Sequence, residues 1–148
     1  MALSPTTLRD GLRAFMDPAY GGFTSYPADA PAVGVAWAAA LRGYFDGLAT
    51  PPGITGAQQD AAEAAFAAAF QPTFATPAIP LLNAALASYA ALLVSPTGVT
   101  TPPPGSPTFV LVNTIDGNAA ATTLSVAIDA WARTGTYTPP GGAAVPWV

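Results

Sequence analysis

The sequence predicts a mainly α fold: a bundle of about five helices joined by long Pro/Gly-rich loops, with room for one short strand pair, 108–112 with 134–138. Three observations predict it. Large apolar residues recur at i, i+4 and i+7 in several windows, which is the spacing of one buried helix face. Helix-start and helix-stop residues bracket those windows. The 17 prolines and 14 glycines concentrate between the windows, where they punctuate rather than interrupt helices. At 148 residues the chain suits one domain, long enough to bury about 70% of the surface its unfolded form exposes.

The first helix spans 6–16, with Leu8, Leu12, Phe15 and Met16 on one face and Asp17-Pro18 closing it. The loop 19–31 mixes Gly and Pro with Tyr20, Phe23 and Tyr26, aromatics that seal the loop onto the core or form a small ligand platform. Asp29 or Ala30 then precedes Pro31 in the first turn of a second helix, whose ladder is Trp37, Leu41, Tyr44, Phe45 and Leu48 and which stops at TPPG, 50–53. Thr55 with Gln58 three positions on predicts a capping box at the start of an Ala-rich third helix carrying Phe66 and Phe70. Thr76 and Pro77 predict the start of a fourth, with the stripe Leu82, Leu86, Tyr89 and Leu93. The stretch 94–107 contains Pro102, Pro103 and Pro104 and predicts an extended, polyproline-like strap.

Residues 108–113 are β-branched and aromatic, so they fit a short strand or a buried strap. Asp116 or Asn118 caps a fifth helix with the stripe Leu124, Ile128 and Trp131; Arg133 suits its last turn, and Gly135 suits a left-handed position after it. Residues 136–148 predict an extended arm ending in Trp147, which either covers the chain's own core or reaches a neighbouring subunit. Three helices share a large-x-x-x-aliphatic-x-x-aromatic pattern followed by a Pro/Gly segment. A degenerate two-helix repeat near 6–50, 55–98 and 108–142 would produce it, and so would the ladders found in any helical protein.

The chain contains no Cys, His or Lys, and its only basic side chains are Arg9, Arg13, Arg42 and Arg133. Thiolate nucleophiles, imidazole bases and N/S metal sites are therefore excluded. A chain without thiols is also indifferent to redox compartment. Net charge is −4 and the arginines are scattered, which disfavours direct nucleic-acid binding. Charged residues make up 8% of the chain, against about 25% in an ordinary domain, so much of the surface is Ala, Thr, Ser, Gly and Pro. Such a surface is cheap to desolvate against another protein. No basic stretch precedes an apolar run at the start, so no signal peptide is expected. The greasiest stretch, 79–94, is interrupted by Pro80 and Asn83 and is too short to span a bilayer.

Carboxylate chemistry has little to stand on. Asp60 and Glu63 share a helix face near its N-terminus, where negative charge is favoured for solubility and by the dipole. Asp116-Gly117-Asn118 matches only the start of a calcium loop, because alanines occupy the following ligand positions; a helix-capping turn accounts for it. No glycine pair stands between a strand and a helix in phosphate-loop form. The sequence predicts no catalytic residue, no cofactor and no metal site, and so no enzyme; the alternative is a ligand-binding domain or enzyme that uses the carboxylates Asp60, Glu63, Asp116 and Asp129 with the aromatic loop.

The order LRDGLRAFM, a Pro-rich loop, AWAAALRGYFDGL ending in PPG, an Ala-rich helix, a further helix followed by TPPPG, and AIDAWARTGTYTPPGGAAVPW resembles small Ala/Pro-rich structural proteins of tailed bacteriophages. The most specific part is the closing aliphatic-Asp-x-aromatic-x-x-Thr-Gly-Thr followed by Pro-Gly-Gly and Trp147. The resemblance covers most of the chain and carries no catalytic motif. It implies a virion component made in the host cytoplasm, a capsid decoration or cement protein or else a neck or tail component. Its partners would be other coat subunits, including copies of itself, with no membrane and no nucleic acid. Phe109, Tyr137 and Trp147 are the expected interface anchors.

Overall fold

A computed structural model describes residues 3–23, 26–48, 54–71, 78–109 and 116–148. Six helices and three short strands follow in the order α1 (Pro5–Met16), α2 (Pro18–Gly21), α3 (Ala30–Phe45), α4 (Gly56–Ala69), α5 (Ala78–Leu92), β1 (Val99–Thr101), α6 (Gly117–Ala132), β2 (Thr136–Thr138) and β3 (Val145–Pro146). The fold is mainly helical, as expected, with α2 a single turn that the composition of its loop concealed.

Side-chain caps set the helix starts. Ser4 accepts from the Thr7 amide, and Asp29 accepts from the Ala32 amide at 2.9 Å, with a proline in the first turn of each helix. Thr55 and Gln58 form the complete reciprocal box: the Thr55 amide donates to Gln58 Oε1 at 2.8 Å and the Gln58 amide to Thr55 Oγ1 at 3.3 Å. Asp116 caps α6, accepting from the Asn118 and Ala119 amides, so the segment that matched the start of a calcium loop is a helix cap. Among the described residues no cluster of three acidic side chains could hold a metal. Thr76 and Pro77, expected at the start of α5, and TPPG at 50–53, expected to stop α3, lie outside the described residues.

Helix α3 packs most extensively on α4, α1 lies against both α3 and α6, and α4 leads on to α5. The α3–α4 approach is close enough to require glycine: a Cβ on Gly34 would overlap the Glu63 carbonyl oxygen and sit 2.8 Å from the Ala67 amide nitrogen, both backbone atoms. Every residue of the three predicted triads, Trp37, Leu41 and Tyr44, Leu82, Leu86 and Tyr89, Leu124, Ile128 and Trp131, is buried. Rings organise the centre: Trp37 stacks on Phe66 at 5.6 Å and on Phe70 at 6.0 Å, and Phe45 stacks on Tyr89 at 5.8 Å. Each of the fully buried side chains among them contributes about 1.5–3 kcal/mol on burial.

The strand pairing differs from the expected one. β2 runs antiparallel to β1, Val99 opposite Thr138 and Thr101 opposite Thr136, and β3 closes on its other side with Tyr137 opposite Val145. Thr108 and Phe109 are not in a strand, and 110–112 lie outside the described residues. The partner of 136–138 comes instead from the stretch expected to be a polyproline-like strap. Gly98, Val99, Thr100 and Thr101 form a proline-free run inside it, and three β-branched residues are enough for a three-residue strand. Both outer strands end at prolines, Pro102 after β1 and Pro146 within β3, which limits the sheet at its edges.

Candidate interaction site

The three expected anchors belong to the chain's own interior. Phe109, Tyr137 and Trp147 are 9%, 9% and 2% exposed. Residues 136–148 return to the body as β2 and β3 instead of leaving as an arm. The Trp147 amide donates to the Gly135 carbonyl at 2.9 Å, and its ring meets Phe45 edge-on at 5.8 Å. Gly135 is needed for that contact rather than for a left-handed turn. It is not among the positive-φ glycines, and a Cβ there would lie 2.7 to 2.9 Å from three Trp147 ring atoms. The physical reason is burial: a tryptophan withdrawn from water outweighs the freedom of a short proline-rich segment.

The chain's aspartates are mostly employed in holding elements together. Tyr44 donates its hydroxyl to Asp129 Oδ1 at 2.7 Å, while Arg133 Nε donates to Asp129 Oδ2 at 2.8 Å and Arg133 Nη2 to the Leu3 carbonyl at 2.7 Å. The knot joins α3, α6 and the segment before α1. Burial, then the hydrogen bond to Asp129, raises the Tyr44 hydroxyl well above its ordinary range, and the bond to Asp129 also raises Arg133. Asp17 serves two helices: it accepts from Arg13, the main reason its carboxyl is held below the ordinary range, and from the Ala19 amide that opens α2. Asp60 and Glu63 line an open depression of about 430 Å³ between α3 and α4, next to Ala64, Ala67 and Ala68. Gln59 Nε2 donates to Glu63 there.

An aromatic cleft of about 500 Å³ lies at the end of the bundle where α3 and α6 begin, lined by Phe15, Tyr26, Trp37, Phe70, Leu82 and Leu124 among others. Its rings are ordered by one another, Phe15 edge-on to Trp37 at 6.1 Å and Phe23 edge-on to Tyr26 at 5.4 Å. Tyr26 is 58% exposed and Phe70 36%, so the rim is reachable. Of the loop aromatics, Tyr20 lies over the Arg13 guanidinium at 4.2 Å, and Tyr26 faces the cleft. The loop composition marked Tyr20, Phe23 and Tyr26 together and did not single out Tyr26; Phe70 was legible only as a helix-face residue, since nothing local marks which core ring lies at a rim.

At the other end, where α6 stops and the sheet begins, register sorts the side chains by face. Thr100, Tyr137 and Val145 share one row, and Tyr137 in it is buried. The opposite face therefore carries Val99, Thr101, Thr136, Thr138 and Pro146. Beyond it, 140–146 are exposed without exception. Residues 64–115 and 134–148 contain no Asp, Glu or Arg, so the sheet is free of those charges and every one of them sits elsewhere. No helix among the described residues is long and apolar enough to cross a membrane.

No protein-family model, characterised protein or solved structure shows a significant match to this chain.

Proposed function

We propose that the chain is a structural component of a tailed-phage virion, a capsid decoration or cement protein that binds neighbouring coat subunits. The observation that carries this reading is the distribution of charge. The described residues of two uncharged stretches, 64–115 and 134–148, present Thr, Val, Ala and Pro at the surface, where another protein can cover them without stripping water from ionised groups. The likeness of AIDAWARTGTYTPPGGAAVPW and the preceding elements to Ala/Pro-rich phage proteins supports the same reading. Since Phe109, Tyr137 and Trp147 are spent on the core, contact falls to the sheet face, the exposed 140–146 stretch and the aromatic cleft.

A neck or tail position is the second reading, favoured by the chemically unlike ends of the bundle, because rings are built from unlike surfaces. Quantitative mass spectrometry of purified particles tests both. Copy numbers on the order of hundreds fit a shell protein, about six or twelve a ring, and absence from the particles removes the virion reading.

A further inference from the structure

We propose that α2 is a detachable strap, latched to the end of α1 by the charge of Asp17, and that unlatching it frees the Phe23–Tyr26 rim of the aromatic cleft while the helical bundle stays folded. The device belongs to the chain by itself, independent of any assembly that the chain joins.

No buried side chain of its own holds α2 in place. None of its residues is buried, and Tyr20, its one large side chain, is 48% exposed. Four residues are also too few for a helix to persist unaided, because an isolated helix shorter than about 12–15 residues is marginal in water. Among the described residues the attachment of α2 is mainly polar, and it converges on one side chain. Asp17 stands in extended conformation between two helices. Its amide ends α1 by donating to the Arg13 carbonyl at 3.0 Å, and its Oδ1 opens α2 by accepting from the Ala19 amide at 3.1 Å. The other oxygen, Oδ2, accepts from Arg13 Nε at 3.1 Å and Nη2 at 2.9 Å. The same guanidinium lies 4.2 Å from the centre of the Tyr20 ring. The pair is sheltered, with the Arg13 and Asp17 side chains 22% and 13% exposed, and the bond from Arg13 holds the Asp17 carboxyl below its ordinary range.

From α2 the constraint passes to the cleft. A Cβ on Gly21 would overlap the Ala14 carbonyl oxygen and lie 2.7 Å from Phe23 Cδ1, so the end of α2 is wedged between the α1 backbone and the Phe23 ring. Phe23 in turn meets Tyr26 edge-on at 5.4 Å, and Tyr26 lines the cleft. The bundle behind this rim is secured differently. Leu8 and Leu12 of α1 are fully buried, and α1 packs on both α3 and α6. Loss of one carboxylate therefore removes the cap, the ion pair and the seat of the guanidinium under Tyr20 together, but no buried apolar side chain. Local opening without global unfolding is the behaviour of such a unit.

Hydrogen exchange followed by NMR near neutral pH, on the full chain, tests the proposal. The amides of Tyr20, Gly21 and Gly22 bond to the carbonyls of Asp17, Asp17 and Pro18, and in the wild type they should be measurably protected. Asp17→Ala should exchange at these three amides about tenfold faster, lose the Phe23–Tyr26 ring contact in nuclear Overhauser spectra, and leave the Leu41 and Ile128 amides at wild-type rates. Asp17→Asn keeps an acceptor for the Ala19 amide without the charge, and Arg13→Gln keeps the cap without the cation; each should accelerate the same three amides by less. Ser4→Ala removes a cap from the start of α1 and should leave them unaltered. If Asp17→Ala fails to fold, Asp17→Asn and Arg13→Gln carry the test. Unprotected wild-type amides at 20–22, rates there that the Asp17 and Arg13 variants do not change, or an acceleration that spreads equally to Leu41 and Ile128 would each overturn the proposal.

Discussion

Trp147→Ala should unfold this protein far more easily than its place near the end of the chain suggests. The side chain is 2% exposed, packs across Gly135 and meets Phe45 edge-on at 5.8 Å and 84°. Removing a buried tryptophan costs about 3–5 kcal/mol. The Trp147 indole nitrogen, however, is buried without a hydrogen-bond partner among the described residues, and deleting an unsatisfied donor returns about 1–3 kcal/mol. The net centres on about 2 kcal/mol, out of a total of about 5–15. With a urea slope of about 2 kcal/mol/M for a chain of this size, the midpoint should drop by about 1 M at unchanged slope. Trp147→Phe keeps a ring on Gly135 and loses the unpaired nitrogen, so its midpoint should fall by less than half as much. Urea titration followed by far-UV circular dichroism measures both. An alanine variant within about 0.3 M of the wild type would show that Trp147 does not hold 136–148 on the core, and the free-arm alternative would stand instead.

Gly34→Ala should lower stability by about 1–3 kcal/mol through overpacking against α4, although alanine is intrinsically better in a helix by about 1 kcal/mol; a raised melting temperature would refute the close α3–α4 approach. Alkaline pH should unfold the chain through Tyr44 and Tyr89, both raised above the ordinary 10.0 chiefly by burial. Their unfolded forms ionise near 10 while the folded forms stay neutral, so the stability is present below pH 10 and lost above it, at about 1.4 kcal/mol per pH unit for each. Tyr89→Phe should halve that slope in urea midpoints measured from about pH 9 to 11.5, and an unaltered slope would show that Tyr89 is not the titrating group.

Much of the helical frame was legible because its signals are local. The Thr55–Gln58 box, the Asp116 cap and the Trp37, Leu41, Tyr44 ladder each rest on residues within two turns of one another, and the structure places them as expected. Pairing across distance was not legible. Nothing near Val99 indicates that Thr138 will lie opposite it, and the prolines that follow argue for a strap. Gly135 carried the right position and the wrong reason: its role depends on Trp147 arriving from twelve residues on. The burial of Phe109, Tyr137 and Trp147 in the chain's own core was not legible for the same cause, since large aromatics serve interiors and interfaces alike. The cleft was legible only through Tyr26, whose neighbours Gly22 and Pro27 mark a loop.

The knot of Arg133 and the Leu3 carbonyl spans 130 residues, and α1 packs on α6; together they govern when the chain can fold. Helix α1 is synthesised before its partner α6, which follows more than a hundred residues later, a delay on the order of ten seconds at ordinary elongation rates. Throughout that interval Leu8 and Leu12, both fully buried in the finished fold, lack the α6 side of their packing. Such long-range closure slows folding relative to a bundle of successive hairpins. It also makes α6 and the sheet after it the trigger for completing α1's packing, so a nascent chain halted before residue 117 should be bound by chaperones, and one released past 133 should escape them.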